Sequence, residues 1–131
     1  MSEEQVIRES VRAWNTDGVD AFLDYVSADV EWRHPTGFPE GDLWCGRDEL
    51  RSMLHEQFDA VFDAGRVEVR SVMHAPGGWL VAIRHQVQAQ TSGMDLEWEA
   101  WFLMTLKDGL ITENRVFLHR EAAEQAAGIG G

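Results

Sequence analysis

One cysteine, one tyrosine and three prolines stand in the 131 residues of the chain. A lone Cys45 excludes an internal disulfide framework and any cysteine-based zinc or iron–sulfur site, which need several thiolates at set spacings. Positive charge is scarce too. Eleven Lys and Arg against 23 Asp and Glu leave a formal net charge of −12, so binding to a phosphate backbone or an anionic membrane surface lacks its driving force. No apolar run approaches the roughly 18 residues of a membrane span, and the opening MSEEQVIRES is acidic where a signal peptide is basic and then apolar. The expectation is a cytoplasmic protein that binds neither nucleic acid nor membrane. No Gly-rich run has the spacing of a phosphate or dinucleotide loop, so no cofactor is expected.

Aromatic residues are plentiful by contrast: six Trp and six Phe point to an aromatic core or cavity. The 44 % hydrophobic and 26 % charged content suits one globular domain with one core. That domain is expected over 1–121, followed by a flexible Ala/Gly-rich tail, 122–131.

Val6, Ile7, Val11 and Trp14 recur at helical spacing before the stop Asn15-Thr16-Asp17-Gly18. Val19, Phe22, Leu23 and Val26 stripe a second short helix, and 30–33 reads as a strand running into His34-Pro35. Segment 35–46 holds two prolines and three glycines, too many for a regular element, yet its Phe38, Leu43 and Trp44 imply a loop that covers something. Leu50, Leu54, Phe58 and Val61/Phe62 predict a third helix over 47–64, capped by Gly65. The segments 66–74, 79–90, 94–107 and 110–119 then read as strands joined by hairpin turns. This is an α+β pattern, with helices on one face of an antiparallel meander.

Strand parity assigns the faces. Trp79, Val81, Ile83, His85, Val87 and Ala89 face inward, as do Leu96, Trp98, Ala100, Phe102, Met104 and Leu106. On the last strand the better inward set is Leu110, Thr112, Asn114, Val116 and Leu118, leaving Ile111, Glu113, Arg115, Phe117 and His119 outside.

The helix-turn-helix spacing up to Phe22, VEWRHPTG, LWCGRDEL with its G-R-x-x-L, and FLMTLKDGLITENRVF occur in an order that resembles the SnoaL-like branch of the nuclear-transport-factor-2-like superfamily. The resemblance implies a cone-shaped α+β barrel, its N-terminal helices packed on a strongly curved antiparallel sheet around a cavity. Isomerases, cyclases, dehydratases, epoxide hydrolases and non-catalytic proteins share that fold. Aligning the steroid isomerases' Asp-Pro pair with His34-Pro35 puts His34 in the general-base position. Their oxyanion-stabilising Tyr and second Asp fall near Ser10 and Phe102. The epoxide hydrolases' Arg-x-Asp falls on Ile83 and His85, and their further Asp on Val116. Neither catalytic set is present.

The polar residues left inside the inferred cavity are His34, His85 and Asn114. A neutral imidazole suits abstraction of a proton next to a carbonyl, which makes His34 the leading general base and His85 the second candidate. The alternatives are that His34 only hydrogen-bonds a backbone group of segment 35–46, and that His85 and Asn114 are satisfied core residues. Asn114 is otherwise placed to orient a ligand, while Trp14, Trp32, Trp98, Phe102 and Met104 line the pocket or form plain core. Glu97 and Glu99 fall outside by parity, so the glycosidase-like carboxylates at Asp95, Glu97 and Glu99 read as a solvated face. His34, His85 and His119 have no metal-site spacing, and no metal is expected.

Two functions fit: a cofactor-independent isomerase, cyclase or dehydratase acting on a small apolar carbonyl compound, or a ligand-binding or structural domain without catalysis. A homodimer is expected through the outer sheet face at Trp101, Leu103 and Phe117. The alternative is that the segment from Arg120 folds back over that patch.

Overall fold

Helix α1 (Glu3–Asp17) opens on a reciprocal cap: Ser2 Oγ accepts from Gln5 N–H at 3.2 Å, and Gln5 Oε1 accepts from Ser2 N–H at 2.8 Å, so two otherwise orphaned donors are satisfied. Its last turn ends at Gly18, whose φ of 89° suits glycine. Helix α2 (Val19–Leu23) follows at once, and strand β1 (Val26–Arg33) begins at Val26 rather than after it. Val26 belongs to the sheet because it pairs with Ile111 of the final strand. The computed structural model describes residues 1–35, 42–59 and 62–129. Expectations on Phe38 and the middle of segment 35–46 lie outside them.

Segment 35–46 does contain a regular element: β2 (Leu43–Cys45) pairs antiparallel with β1, Trp44 opposite Trp32. The G-R-x-x-L motif then has a physical account. Gly46 holds φ at 90° and donates its N–H to Val30 O at 2.7 Å. Arg47 sets its guanidinium on Val26 O, at 3.1 and 2.6 Å. Leu50 is fully buried. The motif thus pins helix α3 (Arg47–Leu54) to β1. This α-helix is shorter than the sequence spacing predicts: a π-helical turn, His55–Asp59, succeeds it, and strand β3 (Phe62–Ala75) is under way before Gly65. Long-range pairing decides this, since Phe62 lies opposite Ala89 of the next strand.

Strands β4 (Gly78–Ala89), β5 (Asp95–Lys107) and β6 (Leu110–Phe117) complete a six-stranded sheet of order β2-β1-β6-β5-β4-β3. The meander is as expected. The sheet is nonetheless mixed, because β1 runs parallel to β6, and it is not closed, β2 and β3 being its edges. The architecture is an α+β cone-type fold, with Ile7, Leu23, Val30, Leu50 and Val81 in the core between the first three helices and the sheet.

One parity assignment is corrected. Thr105 pairs with Glu113, but Leu106 pairs with Ile111, so Thr112 is an extra residue, and its hydroxyl donates to Thr105 O at 3.1 Å. Such a bulge reverses the faces. Ile111 is therefore fully buried in the core, while Asn114 and Val116 keep the inward side.

The second correction concerns 122–131, whose described part is not a fraying tail. Helix α4 (Arg120–Ala127) ends on Gly128 at φ 82° and lies across the outer face of the sheet. Ala123 and Ala127 are fully buried in a cluster with Ala75, Leu80 and Leu103. Gly77 donates its N–H to Ala127 O at 2.9 Å, and a Cβ there would sit 2.8 Å from Ala126 O, so the turn before β4 tolerates only glycine at this approach. The apolar patch expected to bury itself in a dimer is thus covered by the chain's own last helix. Leu103 is buried by it, and Trp101 and Phe117 are half-buried at its margin, with the Arg115 guanidinium 5.2 Å above the Phe117 ring. Among the described residues no helix is long and apolar enough to cross a membrane.

Candidate functional site

A pocket of about 510 Å³ lies between the first three helices and the sheet. Its wall is built by a chain of edge-to-face aromatic contacts across four elements. Trp14 of α1 meets Phe22 of α2 at 5.6 Å, Phe22 meets Trp32 of β1 at 5.9 Å, and Trp32 meets Phe102 of β5 at 5.8 Å. Large flat side chains meeting edge to face keep the helices off the sheet and leave space between them. Asn15 holds α1 in place, using both ends of its amide on the Val67 backbone of β3 at 2.7 Å each.

The pocket contains six of the residues singled out from the sequence: Trp14, Trp32, His34, His85, Trp98 and Phe102. His85 and Phe102 project to the same face, as strand parity requires. Met104 and Asn114 do not reach the pocket surface. Both are fully buried in the row beneath it, where Trp32 is the register neighbour of Asn114 across β1 and β6, and Met104 its neighbour across β5 and β6. Sequence reasoning missed Phe22 and Gln57, both on the wall. Phe22 was visible only as part of a helical stripe. Gln57 sits on the π-helical turn, a geometry common at functional sites that no side-chain pattern announces.

The two histidines occupy different ends of this pocket. His34 follows β1 directly, two residues beyond Trp32. It is half-buried, its ring meets Trp44 at 4.6 Å, and its backbone N–H donates to Asp42 O at 2.8 Å. That backbone bond ties segment 35–46 to the strand. His85 stacks on Trp98 with ring centroids 4.7 Å apart and planes 27° from parallel. Four residues along β5, roughly 13 Å of extended chain, separate Trp98, opposite His85, from Phe102, which pairs with Val116 of β6. Burial pulls the His85 imidazole down to about 4, because an apolar wall disfavours the charged form. It is neutral at physiological pH.

Three polar side-chain atoms under the pocket have no hydrogen-bond partner among the described residues: Trp32 Nε1 and both Asn114 Oδ1 and Nδ2. Ser10, at the position of the steroid isomerases' Tyr, is fully buried and donates its hydroxyl to Ile7 O at 2.7 Å. Its hydroxyl hydrogen is therefore committed to the helix backbone. Glu97 and Glu99 lie on the opposite face of the sheet, Glu97 against Arg84 and Glu99 3.9 Å from Arg70. Among the described residues no three His, Cys, Asp or Glu side chains group as metal ligands.

The comparisons agree with this geometry at the level of the fold. A family model described as a SnoaL-like domain matches residues 7–114. No curated protein matches in sequence. Among solved structures, a nuclear-transport-factor-2-like protein of unknown function from Burkholderia pseudomallei is 18 % identical, with a TM-score of 0.77 over 97 % of this chain and 98 % of that one. TerC, co-crystallised with polyporic acid, is 19 % identical, with a TM-score of 0.76 over 96 % and 98 % of the two chains. A candidate SnoaL-like polyketide cyclase from Mesorhizobium loti is 18 % identical, with a TM-score of 0.66 over 89 % and 99 %.

Proposed function

The chain belongs to the SnoaL-like family, and from that premise we propose that its pocket binds a small, largely apolar carbonyl compound from which His34 removes a proton, without a cofactor. The observation that carries this reading is the placement of His34: an imidazole on the wall of a largely apolar pocket that Trp14, Phe22, Trp32 and Phe102 also line. In the step, the His34 ring nitrogen takes the proton from the carbon next to the carbonyl. The C–H electron pair becomes a C=C bond, and the carbonyl π pair moves to oxygen. Returning the proton to another carbon isomerises the ligand. Attack of the new nucleophilic carbon on a second carbonyl closes a ring. Loss of a β-hydroxyl, protonated by the imidazolium, releases water.

His85 takes a binding role in this scheme. An imidazole that stays neutral down to about pH 4 is a weak proton acceptor, and its stack with Trp98 offers a flat surface to the far end of a ligand. A second reading, ligand binding without catalysis, is favoured by Ser10 and Phe102, which supply neither of the donors that steroid isomerases aim at the oxygen.

The test uses 2-tetralone in D₂O, following exchange of its α-protons by NMR. Protein-dependent exchange is expected, falling by on the order of a hundredfold or more in His34→Ala and little in His85→Ala. Exchange no faster than in buffer alone supports the binding-only reading. An unchanged rate in His34→Ala removes His34 as the base.

A further inference from the structure

We propose that the Gln57 carboxamide is the oxygen anchor of this pocket, its Nε2–H donating to the carbonyl oxygen of the ligand whose neighbouring carbon meets His34. The proposal rests on the function proposed above and supplies what it lacks, a donor for the negative charge that develops when the proton leaves.

Elimination along the wall leads to this residue. Apart from the tryptophans, the described side chains there that can hydrogen-bond are His34, Gln57, His85 and Glu99. His34 is the base. Glu99, as a carboxylate, only accepts, so it has nothing to give a carbonyl oxygen, and it lies 3.9 Å from Arg70 on the other face of the sheet. His85 is held in its stack on Trp98 and stands three strands from β1 in the order β1-β6-β5-β4, roughly 14 Å measured along the sheet. Gln57 remains. It is half-buried and keeps surface on the pocket, and among the described residues nothing takes up its amide hydrogens.

Its place in the fold suits the role. Gln57 stands three residues after Leu54, which is buried and borders the same pocket, a spacing that keeps both on one side of the helix. Helix α3 packs on β1 and β2, the strands that lead to His34 and carry Trp44, and Arg47 and Gly46 pin its start to β1. A ligand lying between the two walls therefore meets His34 from the strand side and Gln57 from the helix side. A donor on a pinned element in apolar surroundings needs little reorganisation when charge appears on the oxygen, the condition under which it stabilises an oxyanion most. The π-helical turn that carries Gln57 is a rare geometry that recurs at functional sites. The donors missing at Ser10 and Phe102 are in this way replaced from the helical wall. The ligand class follows: an apolar body with one carbonyl, its acidic C–H beside the oxygen.

The experiment compares 2-tetralone, 2-tetralol and tetralin, the same bicyclic skeleton with a carbonyl, a hydroxyl or neither, by isothermal titration calorimetry on wild type, Gln57→Leu and Gln57→Glu. Wild type is expected to prefer the ketone to tetralin. Gln57→Leu is expected to cut that preference by about tenfold, the size of one lost hydrogen bond, with tetralin affinity held. Gln57→Glu is expected to lose the ketone preference equally while still favouring the alcohol, because a carboxylate accepts from a hydroxyl but cannot donate to a carbonyl. The exchange rate of bound 2-tetralone is expected to fall by on the order of a hundredfold in Gln57→Leu. A ketone preference unchanged in both variants overturns the anchor while leaving His34 untouched, since the base is read from His34→Ala alone. Tetralin affinity falling in step with the ketone shows only lost packing and also overturns it, as does a Gln57→Glu variant that favours ketone over alcohol. A Gln57-dependent preference in a protein that exchanges no protons sustains the anchor and removes the catalytic reading. Binding of none of the probes to wild type overturns the pocket reading and the anchor together.

Discussion

The two faces of the sheet bury apolar side chains in opposite ways. On the α4 face the contacts come from alanines: Ala123 and Ala127 cluster with Leu80 and Leu103, and Gly77 lets the helix backbone come within hydrogen-bonding distance, with a smaller cavity of about 340 Å³ beside them against Trp101, Arg120 and Glu124. On the other face the contacts come from Trp14, Phe22, Trp32 and Phe102, which meet edge to face beside a pocket of about 510 Å³. Small side chains bring backbones together, whereas rigid large ones hold them apart. The orphaned polar atoms of Trp32 and Asn114 are on the hollow side.

Neighbouring residues of β5 test that contrast most strongly, because Phe102 and Leu103 point to opposite faces. Leu103→Ala removes a filled contact and is expected to lose about 3 kcal/mol. Phe102→Ala, whose ring already borders open space, is expected to lose about half as much despite deleting more atoms. Urea unfolding of both variants gives the order. The ranking reverses in 2-tetralone affinity, where Phe102→Ala is the damaging change. Equal losses in stability would mean that the pocket closes around a truncated side chain as a packed core does.

The pH dependence of stability belongs to the hollow face as well. His85 titrates near 4 when folded against 6.5 ordinarily. Between those values the unfolded chain binds a proton that the folded chain refuses. Stability is therefore complete above about pH 6.5 and falls as pH drops towards 4, by at most roughly 3 kcal/mol. Asp20, held below its usual value by His55, and Asp29, held down by the Ser27 hydroxyl, act below that window. His85→Phe, which keeps the stack on Trp98, is expected to flatten thermal melts between pH 6.5 and 4. A slope that survives the substitution assigns it elsewhere.

The sequence made the hollow face more legible than the filled one, for a physical reason. The alternation on β4 and β5 is a period-two signal that each strand carries by itself, so His85 and Phe102 were placed on one wall without any tertiary information. Helix α4 was hidden because alanine and glycine read as a weakly apolar tail. Alanine is nonetheless the strongest helix former, and its small side chain is what a flush contact needs. The end of α3 was hidden in a different way, since apolar spacing continued smoothly to Phe62 while pairing with Ala89 took that residue into β3. Ile111 was assigned to the wrong face because a bulge at Thr112 leaves no trace in the alternation. The unsatisfied state of Trp32 and Asn114 is a statement about partners and is visible only in three dimensions.

The smallest expected effect separates two asparagines that composition cannot tell apart. Asn15 spends its whole amide on the Val67 backbone, so Asn15→Ala breaks two hydrogen bonds between α1 and β3 and is expected to cost about 1–2 kcal/mol. Asn114 is buried and spends nothing on the described residues. Replacing an unpaired buried amide by an apolar group of similar volume removes a desolvation penalty without removing a bond. Asn114→Leu is therefore expected to leave the ligand-free protein unchanged or raise its stability by about 1 kcal/mol, seen as a Tm equal to or a few degrees above wild type. A loss in the ligand-free protein as large as that of Asn15→Ala would show that the Asn114 amide is already hydrogen-bonded at rest, and the floor of the pocket would then be a filled site like the α4 seam.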